Sequence, residues 1–391
     1  MMVRKAFRFR LELTHAQTHV IVAWTLDKGE TMATYQIAVI PGDGIGQEVM
    51  PEGMKALRAV QQIIAGLHLE FEEFPWGSDY YREHGAMMPE GALKTLAEFD
   101  AIYFGAVGDP AHVPDHITLN GLILPIRKSF QQYACIRPVK LLPGAPCPIV
   151  GKGPADIDFA VIRENTEGEY SDAGGWMHRG TPFEVAIQTS IFTRAGCERV
   201  MRFAFELARK RNKKKRVTSI TKSNAQKYSM VFWDEIFREV AADYPDIETN
   251  ANLVDAAAMN FIRRPEMFDV VVASNLFADI LTDLGAVLMG GMGFAPSANL
   301  NPERTYPSMF ESVHGSAPDI KGRGIANPLA TIWAGQMMLD FLGETEAAAR
   351  LLKALETHVQ DGAVSTPDLG GTASTSAVGD HVCALLRQQA A

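Results

Sequence analysis

Two aspartates four residues apart, Asp279 and Asp283, interrupt the otherwise apolar stretch Asp269-Val270-Val271-Val272-Ala273-Ser274-Asn275-Leu276-Phe277-Ala278-Asp279-Ile280-Leu281-Thr282-Asp283-Leu284-Gly285. A third, Asp255, lies upstream in similar surroundings. Positions i and i+4 share one face of a helix, so the two carboxylates are presented together. Like charges held that close resist ionisation unless a cation lies between them, and oxygen-only ligands suit a hard ion such as Mg²⁺ or Mn²⁺. The competing reading is a pair of solvated acids near a helix N-terminus, favoured by the macrodipole. These residues alone leave both readings open.

Three arginines carry a second signal: Arg127 in Leu124-Pro125-Ile126-Arg127-Lys128, Arg137 in Ile136-Arg137-Pro138, and Arg163 in Ile162-Arg163-Glu164-Asn165-Thr166-Glu167-Gly168-Glu169-Tyr170. A guanidinium is the usual fork for a carboxylate, and three converging beside a dication would suit a substrate with more than one carboxylate. Each alone is more often a surface ion pair. A third signal is the loop Phe310-Glu311-Ser312-Val313-His314-Gly315-Ser316-Ala317-Pro318-Asp319-Ile320, followed by Gly322, Gly324 and Asn327. Its small residues let a planar ligand approach the backbone, His314 offers a ring to stack, and Asn327 offers an amide to a base edge. The run Ile40-Pro41-Gly42-Asp43-Gly44-Ile45-Gly46 ends a strand but is no dinucleotide fingerprint, because Gln47 stands where Gly-x-Gly-x-x-Gly requires its last glycine. A tight strand-to-helix turn accounts for these glycines.

The elements that must position these groups alternate between strand and helix. Strand-like runs at 35–40, 99–106, 157–162, 217–220 and 269–273 are separated by helical spacing at Val200, Phe203, Ala204 and Leu207 and again at Trp233, Ile236, Phe237 and Val240. Alternation of this kind predicts an α/β fold with a sheet covered by helices. Glu184–Phe192 alternates polar with apolar and reads as an antiparallel strand or a protruding arm. Proline and glycine at 143–148 and 151–154 mark a loop.

With 391 residues, 47% hydrophobic and 21% charged, the chain can bury a large core and is expected to form two domains. A net charge of −9 argues against a general nucleic-acid binder. The basic run Lys210–Arg216 is expected to cap a helix and stay in water. No apolar run of about eighteen residues appears, so no membrane span is expected. Cys135, Cys147, Cys197 and Cys383 lack Cys-x-x-Cys spacing and fit reduced packing residues of a cytoplasmic protein. Residues 1–33 open with Arg4, Lys5, Arg8 and Arg10 and are taken as a leader, disordered or stemming from a mis-called start.

Together the motifs resemble the β-decarboxylating dehydrogenases, the family of isocitrate, 3-isopropylmalate and tartrate/D-malate dehydrogenases. The likeness covers about residues 34–385 and rests on Asn275–Gly285, His314–Asp319 and Arg163–Tyr170. It implies the isopropylmalate-dehydrogenase-like two-domain α/β fold, a mixed sheet flanked by helices and no Rossmann fold. The large coenzyme domain would comprise 34–132 and 290–391, the small dimerisation and metal domain 133–289. By the same resemblance, Arg127, Arg137 and Arg163 hold the substrate carboxylates, and Asn120 and Leu124 line the pocket for the C3 substituent. Tyr170 is the general acid, and Lys222 in Thr221-Lys222-Ser223-Asn224 removes a proton together with Asp255. Asp255, Asp279 and Asp283 bind Mg²⁺ or Mn²⁺, and Glu311, His314, Gly315, Ser316, Ala317, Pro318, Asp319 and Asn327 form the coenzyme loop. Lys222 and Asp255 would reach into the partner's site, so a homodimer with shared sites is implied.

The chemistry expected is oxidation at C2 followed by loss of the β-carboxylate. A divalent ion chelated by the hydroxyl and its neighbouring carboxylate lowers the hydroxyl's pKa and stabilises the enolate left when CO₂ departs. A lysine near Tyr170 would favour its phenolate. The Asp319 carboxylate would accept from the adenosine ribose hydroxyls and repel a 2′-phosphate, which predicts NAD; a monovalent cation such as K⁺ is left open. Ala273–Phe277, Ala295–Arg304 and Leu339–Gly343 resemble the tartrate/D-malate branch. Asn120 departs from the Glu usual in isopropylmalate enzymes and from the aromatic common in the tartrate branch. D-malate and tartrate lead as substrates, 3-isopropylmalate follows, and a non-catalytic regulatory subunit is the alternative from another class.

Overall fold

The computed structural model describes residues 33–389. The expected leader lies outside the described residues except for Ala33, which opens the first strand. Twelve strands follow in chain order: β1 Ala33–Gly42, β2 Leu67–Glu73, β3 Ala101–Ala106, β4 Ala134–Lys140, β5 Asp158–Glu164, β6 Gly168–Met177, β7 Val185–Ile191, β8 Arg216–Thr221, β9 Glu248–Leu253, β10 Val270–Ala273, β11 Pro296–Leu300 and β12 Ser308–Ser312.

Ten of them form one continuous sheet in the order β2-β1-β3-β12-β11-β4-β5-β10-β8-β9. The sheet is mixed, since β11 and β5 run antiparallel to β4 while β1-β3-β12 and β5-β10-β8-β9 are parallel sets. Parallel strands buried on both faces read as apolar runs, which is why Val270-Val271-Val272 was legible as a strand. Helices cover both faces, as the alternation predicts.

The face that matters here is defined by register. Asn299 pairs with Cys135 and Cys135 with Arg163, while Glu311 pairs with Ser297 and Arg137 with Val161, two residues before Arg163. Side chains alternate along strands, so Glu311, Ser297, Asn299, Cys135, Arg137 and Arg163 all point to one face. The helix Asn275–Leu288 lies on that face, and Gly285 lets it settle close: a Cβ there would stand 2.6 Å from Val139 Cγ2. The opposite face of the same strands carries Ile136, Ala298, Leu300 and Phe310 against the helices Arg194–Arg211 and Leu329–Leu342.

The expected arm is the β6–β7 pair, a separate two-stranded antiparallel sheet whose second strand is exposed throughout. The basic run differs in part from expectation. Asn212 does end the helix Arg194–Arg211 in the left-handed conformation, but Arg211 turns inward to Asp158 and the buried Asp269 (each 3.0 Å), and Lys213 pairs with Asp158. Lys210 and Arg216 also pair with carboxylates of the same chain, while Lys214 donates to the backbone carbonyls of Glu266 and Phe268. The four cysteines are free.

Candidate active site

The polar face opens into a cavity of about 180 Å³, lined on one side by Arg127, Arg137, Arg163, Tyr170, Asp279 and Glu311 and on the other by Leu119, Ile123 and Leu124. The ends of β3 and β12 approach it from one side, and the end of β5 from the other.

Asp279 is the hub. It accepts hydrogen bonds from Tyr170 Oη (2.8 Å) and Arg137 (3.1 Å) and pairs with Arg163. Burial alone would raise its carboxyl pKa; the Arg163 and Arg137 charges and the Tyr170 hydroxyl outweigh burial and hold it below the usual value. Asp283, one turn on and more exposed, is instead pushed up, by burial first and then by its like-charged neighbour Asp279. Burial is the larger cause, and the like charge on the same helix face adds to it, as the i, i+4 spacing anticipates.

The arginines are braced from behind. Arg137 also donates to Thr282 Oγ1 (2.6 Å), Arg163 Nε donates to Asn275 Oδ1 (2.9 Å), and Arg127 donates to Glu311 Oε1 (2.7 Å), which accepts in addition from Asn299 Nδ2 (2.7 Å). The Nε atoms of Arg127 and Arg137 are buried and carry no partner. Both arginines also line the cavity, and together with Arg163 they make its polar wall strongly cationic.

Lys222 and Asp255 are held apart from this cluster. Lys222 follows β8 and Asp255 opens the helix after β9, so both stand at the carboxyl ends of the strands beyond β10, joined by a 2.7 Å ion pair at the surface. That bond lowers the Asp255 pKa. The expected lysine is therefore not beside Tyr170 within the chain; the phenol is raised by burial and by Asp279. Among the described residues no group of three or more His, Cys, Asp or Glu is assembled that could hold a metal ion. The Asp255, Asp279 and Asp283 set thus appears as two acids on one helix and a third elsewhere.

Leu124 lines the cavity and Asn120 does not. The segment Leu119–Ile123 is wound as a π-turn, which shifts the side chains around the axis; Asn120 faces solvent and donates to His116 O (2.7 Å). Of the expected coenzyme loop, His314 and Gly315 border the cavity, and burial pushes the His314 imidazole down, towards its neutral form. Its Nε2 is buried without a partner. Ser316 O accepts from Ile45 N (2.8 Å), and Gly44 approaches so closely that a Cβ would lie 2.0 Å from that oxygen, so the turn after β1 and the loop after β12 form one unit. Ala317 has φ +42°, and Pro318 and Asp319 are exposed. Asn327 is buried with its amide on Asp368 (3.0 Å) and Leu329 N (3.0 Å). Glu311 is engaged by Arg127 rather than facing the loop.

Sequence reasoning passed over Thr282, Asn275, Asn299 and Ile45. Thr282 was findable, since it lies three residues after Asp279 on the same helix face. Ile45 packs with Val49 and Ala326 against Ala317 and Ile320, a patch between distant loops with no local signal.

A mixed, helix-covered sheet with an arginine-lined, carboxylate-bearing cavity defines an enzyme that binds small polyanionic substrates, built on an α/β scaffold. Residues 36–382 match the isocitrate/isopropylmalate dehydrogenase family, and the chain belongs to it. It is 54% identical to the D-malate dehydrogenase [decarboxylating] of Escherichia coli, over 91% of this chain and 99% of that protein. It is 52% identical to a probable tartrate dehydrogenase/decarboxylase of Bacillus subtilis, over 92% and 99%. Among solved structures, the isocitrate dehydrogenase of Methylococcus capsulatus superposes with a TM-score of 0.81 at 33% identity, covering 90% of this chain and all of that one.

Proposed function

We propose that this chain is an NAD-dependent, decarboxylating dehydrogenase of malate-type 2-hydroxy diacids, with D-malate and tartrate as its substrates. The observation that carries the reading is the convergence of three arginines, Arg127, Arg137 and Arg163, with Asp279 on one small cavity. The two carboxylates of a four-carbon diacid match a site lined by three guanidinium forks.

Arg127, Arg137 and Arg163 bind and orient the diacid. Lys222 with Asp255, from a second copy, would take the proton of the C2 hydroxyl; bound NAD would supply the hydride acceptor, and Tyr170 would give its proton to C3 once the β-carboxylate has left as CO₂. The oxygen-only donors Asp279, Asp283 and Asp255 would suit Mg²⁺ or Mn²⁺. When bound, the ion supplies Lewis acidity to the substrate oxygens. The joined loops at Gly44–Ile45 and His314–Asp319 fit the coenzyme, with Asp319 selecting NAD; a kcat/KM favouring NADP would remove that assignment.

The active form is a homodimer. Asp255 and Lys222 lie outside their own chain's cavity, and exposed apolar side chains stand on the arm (Trp176, Phe183, Ile187) and on the Asp279 helix (Ile280, Val287), where a second copy would cover them. The cavity is taken as the cleft between the domains 34–132 with 290–391 and 133–289. The free cysteines fit a cytoplasmic protein, and no described helix is long and apolar enough to cross a membrane.

The carbon wall of Leu119, Ile123 and Leu124 favours a second reading, 3-isopropylmalate, since an alkyl group would lie against it and a tartrate 3-hydroxyl would not. NADH formation from D-malate, L-tartrate, meso-tartrate and 3-isopropylmalate with Mn²⁺, with and without K⁺, separates the two. No turnover of any of them would overturn the proposal and point to a regulatory subunit.

A further inference from the structure

The segment Glu164–Tyr170 does more than deliver Tyr170. Its three other acids each take a structural task. Glu164 is buried, accepts from Thr166 N (2.8 Å), Thr166 Oγ1 (2.8 Å) and Glu167 N (3.0 Å), and so closes the turn after β5. Glu167 accepts from Thr193 N and Oγ1 (each 2.8 Å), where the helix Arg194–Arg211 begins. Glu169 reaches the start of the helix that carries Asp279 and Asp283: its Oε2 accepts from Leu276 N (3.2 Å) and its Oε1 from Ser274 Oγ (3.1 Å).

That contact replaces an ordinary cap. Ser274 occupies the N-cap position, yet its side chain makes no cap hydrogen bond and donates to Glu169 instead. A carboxylate from another element now satisfies the free amide and meets the positive end of the helix dipole. The neighbouring residue holds the same helix one turn further along, through Tyr170 Oη on Asp279. Adjacent residues of a regular strand point to opposite faces, so one helix could not receive both. The irregularity in β6, whose pairing with β7 shifts between Gly168 and Ala173 and whose Asp172 has φ +59°, brings them to the same side.

We propose that Glu169 is a positioning residue, which clamps the first turn of the Asp279 helix to the base of the arm and thereby fixes where Asp279 and Asp283 together stand for a divalent cation. This rests on the reading of those two aspartates as cation ligands. The experiment titrates Mn²⁺ into the full-length protein with D-malate present and coenzyme absent, following free Mn²⁺ by electron paramagnetic resonance, for wild type, Glu169→Ala and Glu169→Gln. The expected result is about tenfold weaker Mn²⁺ binding in Glu169→Ala, with kcat reduced and the KM for NAD unchanged. In Glu169→Gln, which keeps an oxygen for Leu276 N, affinity should stay within about threefold of wild type. Equal Mn²⁺ affinity in wild type and Glu169→Ala overturns the proposal, as does failure of the Gln variant to rescue. Absence of Mn²⁺ binding in wild type instead removes the cation reading itself. Should Glu169→Ala not accumulate as folded protein, Ser274→Ala removes one of the two contacts and decides the matter by the same titration: weaker binding supports the clamp, unchanged binding overturns it.

Discussion

Asp279 and Asp255 are the same residue type at the carboxyl end of the same sheet, yet they are held in opposite ways. Asp279 is half-buried and saturated, with two buried guanidinium groups and a phenol around it. Asp255 stands in solvent with one ammonium partner, Lys222, at 2.7 Å. A buried charge cannot lose its partners without leaving an uncompensated ion, whereas an exposed pair is worth little and exchanges partners easily. The cavity is therefore completed by one chain's own folding, and the Lys222–Asp255 pair is left free to engage something else.

The most severe way to sharpen this contrast is Lys222→Met. Turnover should fall by about 10³-fold or more, while NAD binding followed by fluorescence stays intact and unfolding in urea shifts by less than about 1 kcal/mol. Full activity in that variant would remove the role given to the lysine. Asp279→Ala should do the reverse to stability: with Arg137 and Arg163 left unpaired, equilibrium unfolding should show a loss of about 3–5 kcal/mol. A loss under about 1 kcal/mol would mean that the cluster is no more tightly held than the surface pair.

Mixing tests whether the two halves come from different copies. Lys222→Met and Asp279→Asn are each expected to be inactive, but refolded together in equal amounts they should recover roughly a quarter of wild-type activity, because half the dimers then contain one intact site. No recovery would confine each site to a single chain.

A third manner of holding charge completes the series. His358, buried on the helix Thr345–Asp361, meets His381 with Nδ1 atoms 2.8 Å apart. Burial, and then the neighbouring imidazole, pushes its pKa down to about 4. The unfolded chain takes up the proton near pH 6.5 and the folded chain only near 4, so stability is full above pH 6.5 and declines as pH falls between those values. On the order of 2 kcal/mol should be lost between pH 7 and pH 5, read from thermal melts. His358→Gln should flatten that slope; an unchanged slope would place its origin elsewhere.

Local signals in the chain carried β1, β3, β5, β7, β8 and β10 and the two helix-borne aspartates, because periods of two and 3.6 leave their mark within a dozen residues, whereas β2, β4, β6, β9, β11 and β12 left no such signal. Val270–Ala273 and Val185–Ile191 both lie where their patterns put them. The bracing of the arginines was not legible. That Asn299 and Glu311 stand behind Arg127 depends on the register of β11 on β12, set by residues far apart in sequence. Asn120 escaped for a different reason: a π-turn moves side chains around the helix axis, and the letters Leu-Asn-Gly-Leu-Ile do not announce one. Arg211 was misjudged as a solvated cap because Asp269, its buried partner, lies 58 positions away.

The unbroken sheet has a mechanical consequence. Arg127 and its brace Glu311 sit on the β12 side of the antiparallel seam between β11 and β4, while Arg137 and Arg163 sit on the other. That seam is held by only Ala298–Ile136, Asn299–Cys135 and Leu300–Ala134, against the seven paired positions that join β4 to β5. Any motion that widened the gap between Arg127 and the other two arginines would have to flex this sheet like a leaf spring, with the bend concentrated where the lamination is thinnest.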